Sequence, residues 1–186
     1  IKGSPLNLVS NGMDIKTKLE VVYQLVEILV FLHSKKMIHR DIKPQNIMIE
    51  DKKNVRLIDF GVSKIAEKTS TNTANSLGTT AYMAPENFDF DCENDNPKPI
   101  IISAKADVWS VGCLISELFS GVSPWSIKNV IRIEKKLMDK AAFPIPNEIT
   151  CEPVRCLISS CTIIDPLKRP SSQELLELIK GALEKI

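Results

Sequence analysis

Apolar positions recur along this chain with two different periods, and the change of period divides it. Over residues 14–34, Ile15, Leu19, Val22, Val26 and Leu29 return at helical spacing, and Asp14 stands where a side chain caps a first turn. Residues 46–49 and 55–58 are short strand-like runs separated by polar Glu50, Asp51, Lys52, Lys53 and Asn54, the pattern of a β-hairpin. Residues 107–120 turn strongly apolar, with Val108, Trp109, Val111, Leu114, Ile115, Leu118 and Phe119. A helix apolar on nearly every side belongs at the centre of a fold. Further helices are predicted over residues 127–140 and 153–161, and after Pro170, where Ser171 and Glu174 match a capping box. The first dozen residues, residues 62–82 and residues 89–100 read as loop. The fold class expected is mainly α, a helical bundle around a buried central helix, with a small β-hairpin.

The hairpin gains interest from the residues before it. His39, Arg40, Asp41, Ile42, Lys43, Pro44, Gln45 and Asn46 bring a carboxylate, two cations and two carboxamides into eight positions. Pro44 keeps Lys43 out of the helical region, so the stretch is a loop. A loop presenting Asp41, Lys43 and Asn46 together suits proton abstraction beside a phosphate and a hard metal ion. In an antiparallel hairpin the start of the first strand lies beside the end of the second, which places Asn46 next to Asp59. Two oxygen donors side by side form a Mg²⁺ site with room for phosphate and water.

Composition narrows the alternatives. At 186 residues the chain is one domain or one large lobe, and a net charge of +1 gives no reason to expect nucleic acid as a partner. No apolar run approaches a membrane span. Cys151, Cys156 and Cys161 recur every five residues, but on a helix that spacing rotates successive thiols by about 140°, so they do not converge on one ion. The five cysteines therefore read as reduced thiols of an intracellular, cytoplasmic protein. A start at Ile1, with neither Met nor a signal-peptide pattern, is expected of a piece of something longer.

With these positions in place, the sequence resembles the large C-terminal lobe of a eukaryotic-type serine/threonine protein kinase over essentially all of residues 1–186. The resemblance rests on HRDIKPQN at 39–46, DFG at 59–61, GTTAYMAPE at 78–86, DVWSVG at 107–112 and DPLKRP at 165–170, in the family order. It implies transfer of the γ-phosphate of MgATP to Ser/Thr hydroxyls of a protein substrate. Asp41 would be the base, and Lys43 would neutralise charge on the moving phosphate. Asn46 and Asp59 would hold Mg²⁺, and Met48 would lie under the adenine. Thr79 would bond Asp41 and Lys43, while His39, Phe60 and Asp107 would tie the site to the central helix. Glu86 and Arg169 would form a buried structural ion pair. Arg40 would receive a regulatory phosphate from Thr71, Thr73 or Ser76, since Asn75 occupies the usual phosphosite.

The resemblance also implies a partner in cis, an N-terminal lobe. No Gly-rich loop, strand lysine or partner glutamate is seen, so this piece alone is expected to be inactive, to bind nucleotide poorly and to expose an apolar face near Met48 and Phe60. Residues 89–100 are longer than the family usually spends there. Two other readings stand beside the kinase: a pseudokinase scaffold, and a small-molecule phosphotransferase of kinase-like fold. Of the remaining polar residues, His33 reads as a packing residue at a helix end, and Tyr82 as lining for the substrate loop. Trp109 and Trp125 read as core aromatics.

Overall fold

The computed structural model describes residues 3–51, 54–59, 80–88, 103–127 and 129–186. The first dozen residues, expected as loop, carry a two-residue strand, β1 (Ser4–Pro5), and one helical turn, α1 (Leu6–Val9). Neither has a periodicity to read; both exist because tertiary contacts supply what so few residues cannot. α2 (Ile15–Ser34) follows, and the Asp14 carboxylate accepts from the Thr17 amide as its N-cap. Leu19, Val22, Leu25, Val26 and Leu29 on α2 are fully buried, each worth about 1.5–3 kcal/mol of burial.

β2 (Ile47–Glu50) and β3 (Asn54–Leu57) form the predicted antiparallel hairpin, with Ile47 opposite Leu57 and Glu50 opposite Asn54. The sheet has three strands rather than two, because β1 pairs antiparallel with the other edge of β2, Pro5 opposite Met48. Proline is tolerated there because β1 is an edge. On the opposite edge, the side-chain oxygen of Gln24 accepts from the Val55 amide, which covers one ladder donor of β3.

The central helix, α3 (Ala104–Ser120), begins three residues earlier than its apolar run, because Ser103 caps it by accepting from the Lys105 amide. Gly121 ends it in the left-handed conformation that glycine adopts freely. α4 (Val130–Met138) is shorter than predicted, held at its start by the Asn129 side chain accepting from the Arg132 amide. α5 (Glu152–Cys161) packs on α3, and the closest approach is at Gly112. A Cβ there would lie 2.6 Å from Cys161 Cβ and 2.8 Å from Thr162 Cγ2. α6 (Ser172–Leu183) opens with the predicted capping box and packs along α2. Trp109 and Trp125 are both core residues, set edge-on to Phe143 at 6.1 and 5.3 Å between ring centroids.

Among the described residues no group of three or more His, Cys, Asp or Glu is placed to hold a metal, and Cys113, Cys151, Cys156 and Cys161 are free thiols. Burial pushes the Cys113 thiol well up and Cys161 up to about 12, so neither is a nucleophile at neutral pH. No helix is long and apolar enough to cross a membrane among the described residues.

Candidate active site

The loop between α2 and β2 is fixed from below by one carboxylate. Asp107, in the first turn of α3, is fully buried, and its two oxygens accept from the His39 amide at 2.9 Å and the Arg40 amide at 2.8 Å. Successive amides reach one anion because Arg40 adopts a left-handed φ of 70°. For a non-glycine residue that conformation costs about 1–2 kcal/mol, offset here by two charge-assisted bonds. His33 completes the anchor. Its Nε2 lies 2.9 Å from Asp107 Oδ2, and its Nδ1 lies 2.9 Å from Ser172 Oγ on α6. The sequence reading of His33 as mere packing is thus corrected: it joins α2, α3 and α6 through polar contacts. Nothing in the local pattern flags it, because both its partners are distant in the chain.

His39 passes the constraint on. Its Nε2 donates to the Ile58 carbonyl at 3.2 Å, leaving Nδ1 to accept from the Asp41 amide at a long 3.4 Å. That arrangement needs a neutral ring. Burial pushes the His39 imidazole below its ordinary 6.5, against the opposing pull of the Asp107, Asp41 and Asp59 carboxylates and the Ile58 carbonyl.

Asp41, Lys43 and Asn46 come together as one cluster. Asp41 Oδ2 lies 2.8 Å from Lys43 Nζ and accepts from Asn46 Nδ2 at 2.8 Å, and the same amide nitrogen donates to the Asp41 carbonyl at 2.8 Å. Both Asn46 contacts demand a donor, which fixes the orientation of the amide and turns its oxygen the other way. Asn46 ends the single 3-10 turn Pro44–Asn46, and its carbonyl accepts from the Ile58 amide at 2.9 Å. That bond closes the hairpin one residue before Asp59. Asp59 is exposed and takes a left-handed φ of 63°, so the chain changes direction there. The donor set, one amide oxygen and one exposed carboxylate, has the chemistry Mg²⁺ selects and leaves most of its coordination to phosphate and water. Met48 lies half-buried on β2. Arg40 is half-buried too, and its Nε has no hydrogen-bond partner among the described residues.

Away from this cluster, Glu86 and Arg169 form a bidentate pair, Nη1 to Oε1 at 2.7 Å and Nη2 to Oε2 at 3.1 Å. Arg169 is almost fully buried; it also donates to the carbonyls of Lys105 and Ile163, and it lies over the Trp109 ring at 5.1 Å. Tyr82 is buried rather than lining an open surface. Its hydroxyl donates to the Glu117 carboxylate on α3, and its carbonyl accepts from Ser110 Oγ at 2.8 Å. Burial pushes both the Tyr82 hydroxyl and the Glu117 carboxyl up. Phe60, Thr71, Thr73, Ser76 and Thr79 lie outside the described residues, as do residues 89–100.

Comparison with known proteins decides the family. Residues 6–178 match the model of the protein kinase domain. The chain belongs to the protein kinase family. It is 34% identical to a serine/threonine-protein kinase of Saccharomyces cerevisiae, over 82% of this chain and 10% of that protein. A MAP kinase kinase kinase of Schizosaccharomyces pombe is 37% identical over 80% of this chain and 13% of its own length. A second protein of that yeast, a serine/threonine-protein kinase, is 33% identical over 91% of this chain and 37% of its own length. The kinase chain therefore spans between about a tenth and somewhat over a third of the curated relatives it matches. Its mostly helical fold with a small three-stranded sheet is protein-kinase-like.

Proposed function

We propose that this chain is the large C-terminal lobe of a serine/threonine protein kinase, and that the full-length protein transfers the γ-phosphate of ATP to protein Ser/Thr hydroxyls. The observation that carries the reading is the Asp41 carboxylate. One oxygen is committed to Lys43 and Asn46, each at 2.8 Å, and the group remains 34% exposed beside exposed Asp59. Oδ1, which has no partner among the described residues, takes the proton of an incoming hydroxyl, while Lys43 and Asn46 keep the carboxylate in one rotamer. Asn46, through its amide oxygen, and Asp59 hold Mg²⁺, which when bound neutralises charge on the ATP phosphates. Met48 on β2 contributes to the floor under the adenine, Thr79 supports Asp41 and Lys43, and an N-terminal lobe in cis closes over them. Arg40 receives the phosphate when Thr71, Thr73 or Ser76 is modified, with its Nε supplying a donor.

The test is Mg²⁺-dependent transfer of the γ-phosphate by the full-length protein, with Asp59→Asn as the variant. Labelled Ser/Thr in a protein substrate, lost in Asp59→Asn, is the expected result. Label on a sugar or aminoglycoside alone would replace the reading with a small-molecule phosphotransferase. No transfer under any condition would leave a scaffold.

A further inference from the structure

Ser172 carries a hydroxyl that α6 does not need. The cap of this helix belongs to Ser171, whose Oγ accepts from the Glu174 amide at 3.2 Å. Ser172, the first helical residue, is only 6% exposed, and its Oγ lies 2.9 Å from His33 Nδ1. The other ring nitrogen of His33 lies 2.9 Å from Asp107 Oδ2, which already accepts the His39 amide. A carboxylate oxygen accepts, so Nε2 carries the proton and the hydroxyl is what addresses Nδ1. Because a hydroxyl both donates and accepts, Ser172 satisfies this nitrogen whether or not it is protonated.

We propose that Ser172 is a positioning residue for the catalytic loop, acting through His33 and Asp107 on the amides of His39 and Arg40. Without the hydroxyl, Nδ1 of this part-buried ring loses its protein partner, and the ring loses the contact that sets its plane. Asp107 then holds the two loop amides with one of its supports loosened. The consequence for phosphate transfer rests on the kinase reading, but the mechanical link does not.

The experiment follows amide hydrogen exchange by mass spectrometry in the full-length protein, comparing Ser172→Ala, Ser172→Thr and a control at exposed Gln173, Gln173→Ala. In Ser172→Ala the peptide containing His39 and Arg40 is expected to exchange about tenfold faster, the loss of one part-buried bond's worth of protection. The first turn of α6 should be unaffected in the same variant. Ser172→Thr, which keeps the hydroxyl, should restore protection, and Gln173→Ala should match wild type. Unchanged exchange at His39 and Arg40 overturns the proposal. So does loosening spread evenly over α6 or the whole chain, or a Thr variant no better than Ala. Where the wild type phosphorylates, Ser172→Ala should also lower kcat with the KM for ATP unchanged, and an unaltered kcat counts against the proposal. Exchange is read without substrate, so failure of the kinase reading alone would leave the exchange result standing.

Discussion

Asp107 and Asp41 sit at two ends of one short chain of contacts, and the fold treats their carboxylates in opposite ways. Asp107 is fully buried and takes three donors: the His39 amide, the Arg40 amide and His33 Nε2. Asp41 is a third exposed, and among the described residues only its Oδ2 is engaged, by Lys43 and Asn46. A buried charge short of partners is costly, so a carboxylate that only holds structure ends up saturated. One that must exchange a proton has to keep an oxygen open and remain reachable. On the proposed reading, saturation marks the bracket, and the oxygen left open among the described residues marks the chemistry.

The largest disturbance is expected at the other saturated ion. Arg169→Ala leaves Glu86 facing an empty buried site and should cost about 3–5 kcal/mol in urea unfolding. Asp107→Asn comes next. Its amide group retains one acceptor but turns an N–H₂ toward backbone donors, so a loss of about 2–3 kcal/mol is expected. A variant of Asp107 with wild-type stability and no activity would break the comparison. Gly112→Ala tests the frame around the bracket without touching a charge. Its new methyl would meet Cys161 and Thr162, and the overpacking should cost about 1–3 kcal/mol by thermal or urea unfolding.

The smallest effect is a pH dependence from His39, which lies between the two aspartates. Its imidazole is lowered in the folded state, so the unfolded chain takes the proton first as pH falls. The stability it contributes is complete above about 6.5 and is lost as pH drops through that value toward the folded one. Urea midpoints measured between pH 7.5 and pH 5 should fall more steeply in wild type than in His39→Phe.

Local signals were strong wherever a single element could satisfy itself. The Asp14 cap, the Ser171 and Glu174 capping box and the residues that carry the β2–β3 hairpin were all readable, because each involves groups a few positions apart. β1 and α1 were not, since two and four residues have no period and owe their shape to β2 and the core. At the candidate site, the Asp41, Lys43 and Asn46 cluster followed from one loop, and hairpin pairing placed Asp59 nearby. The bond from Arg169 to Glu86 crosses 83 positions and that from His33 to Ser172 crosses 139. Their chemistry is visible only once the helices are packed, and for His33 no spacing could have revealed it.

The central claim is that Asp41 serves the reaction and Asp107 serves the fold. Asp41→Asn and Asp107→Asn in the full-length protein, measured side by side for phosphate transfer and for urea stability, test it most directly. Asp41→Asn should lose about a hundred- to ten-thousandfold in kcat while its unfolding midpoint stays near wild type. Asp107→Asn should show its main loss in the midpoint. An Asp41→Asn protein that phosphorylates as fast as wild type would contradict the account.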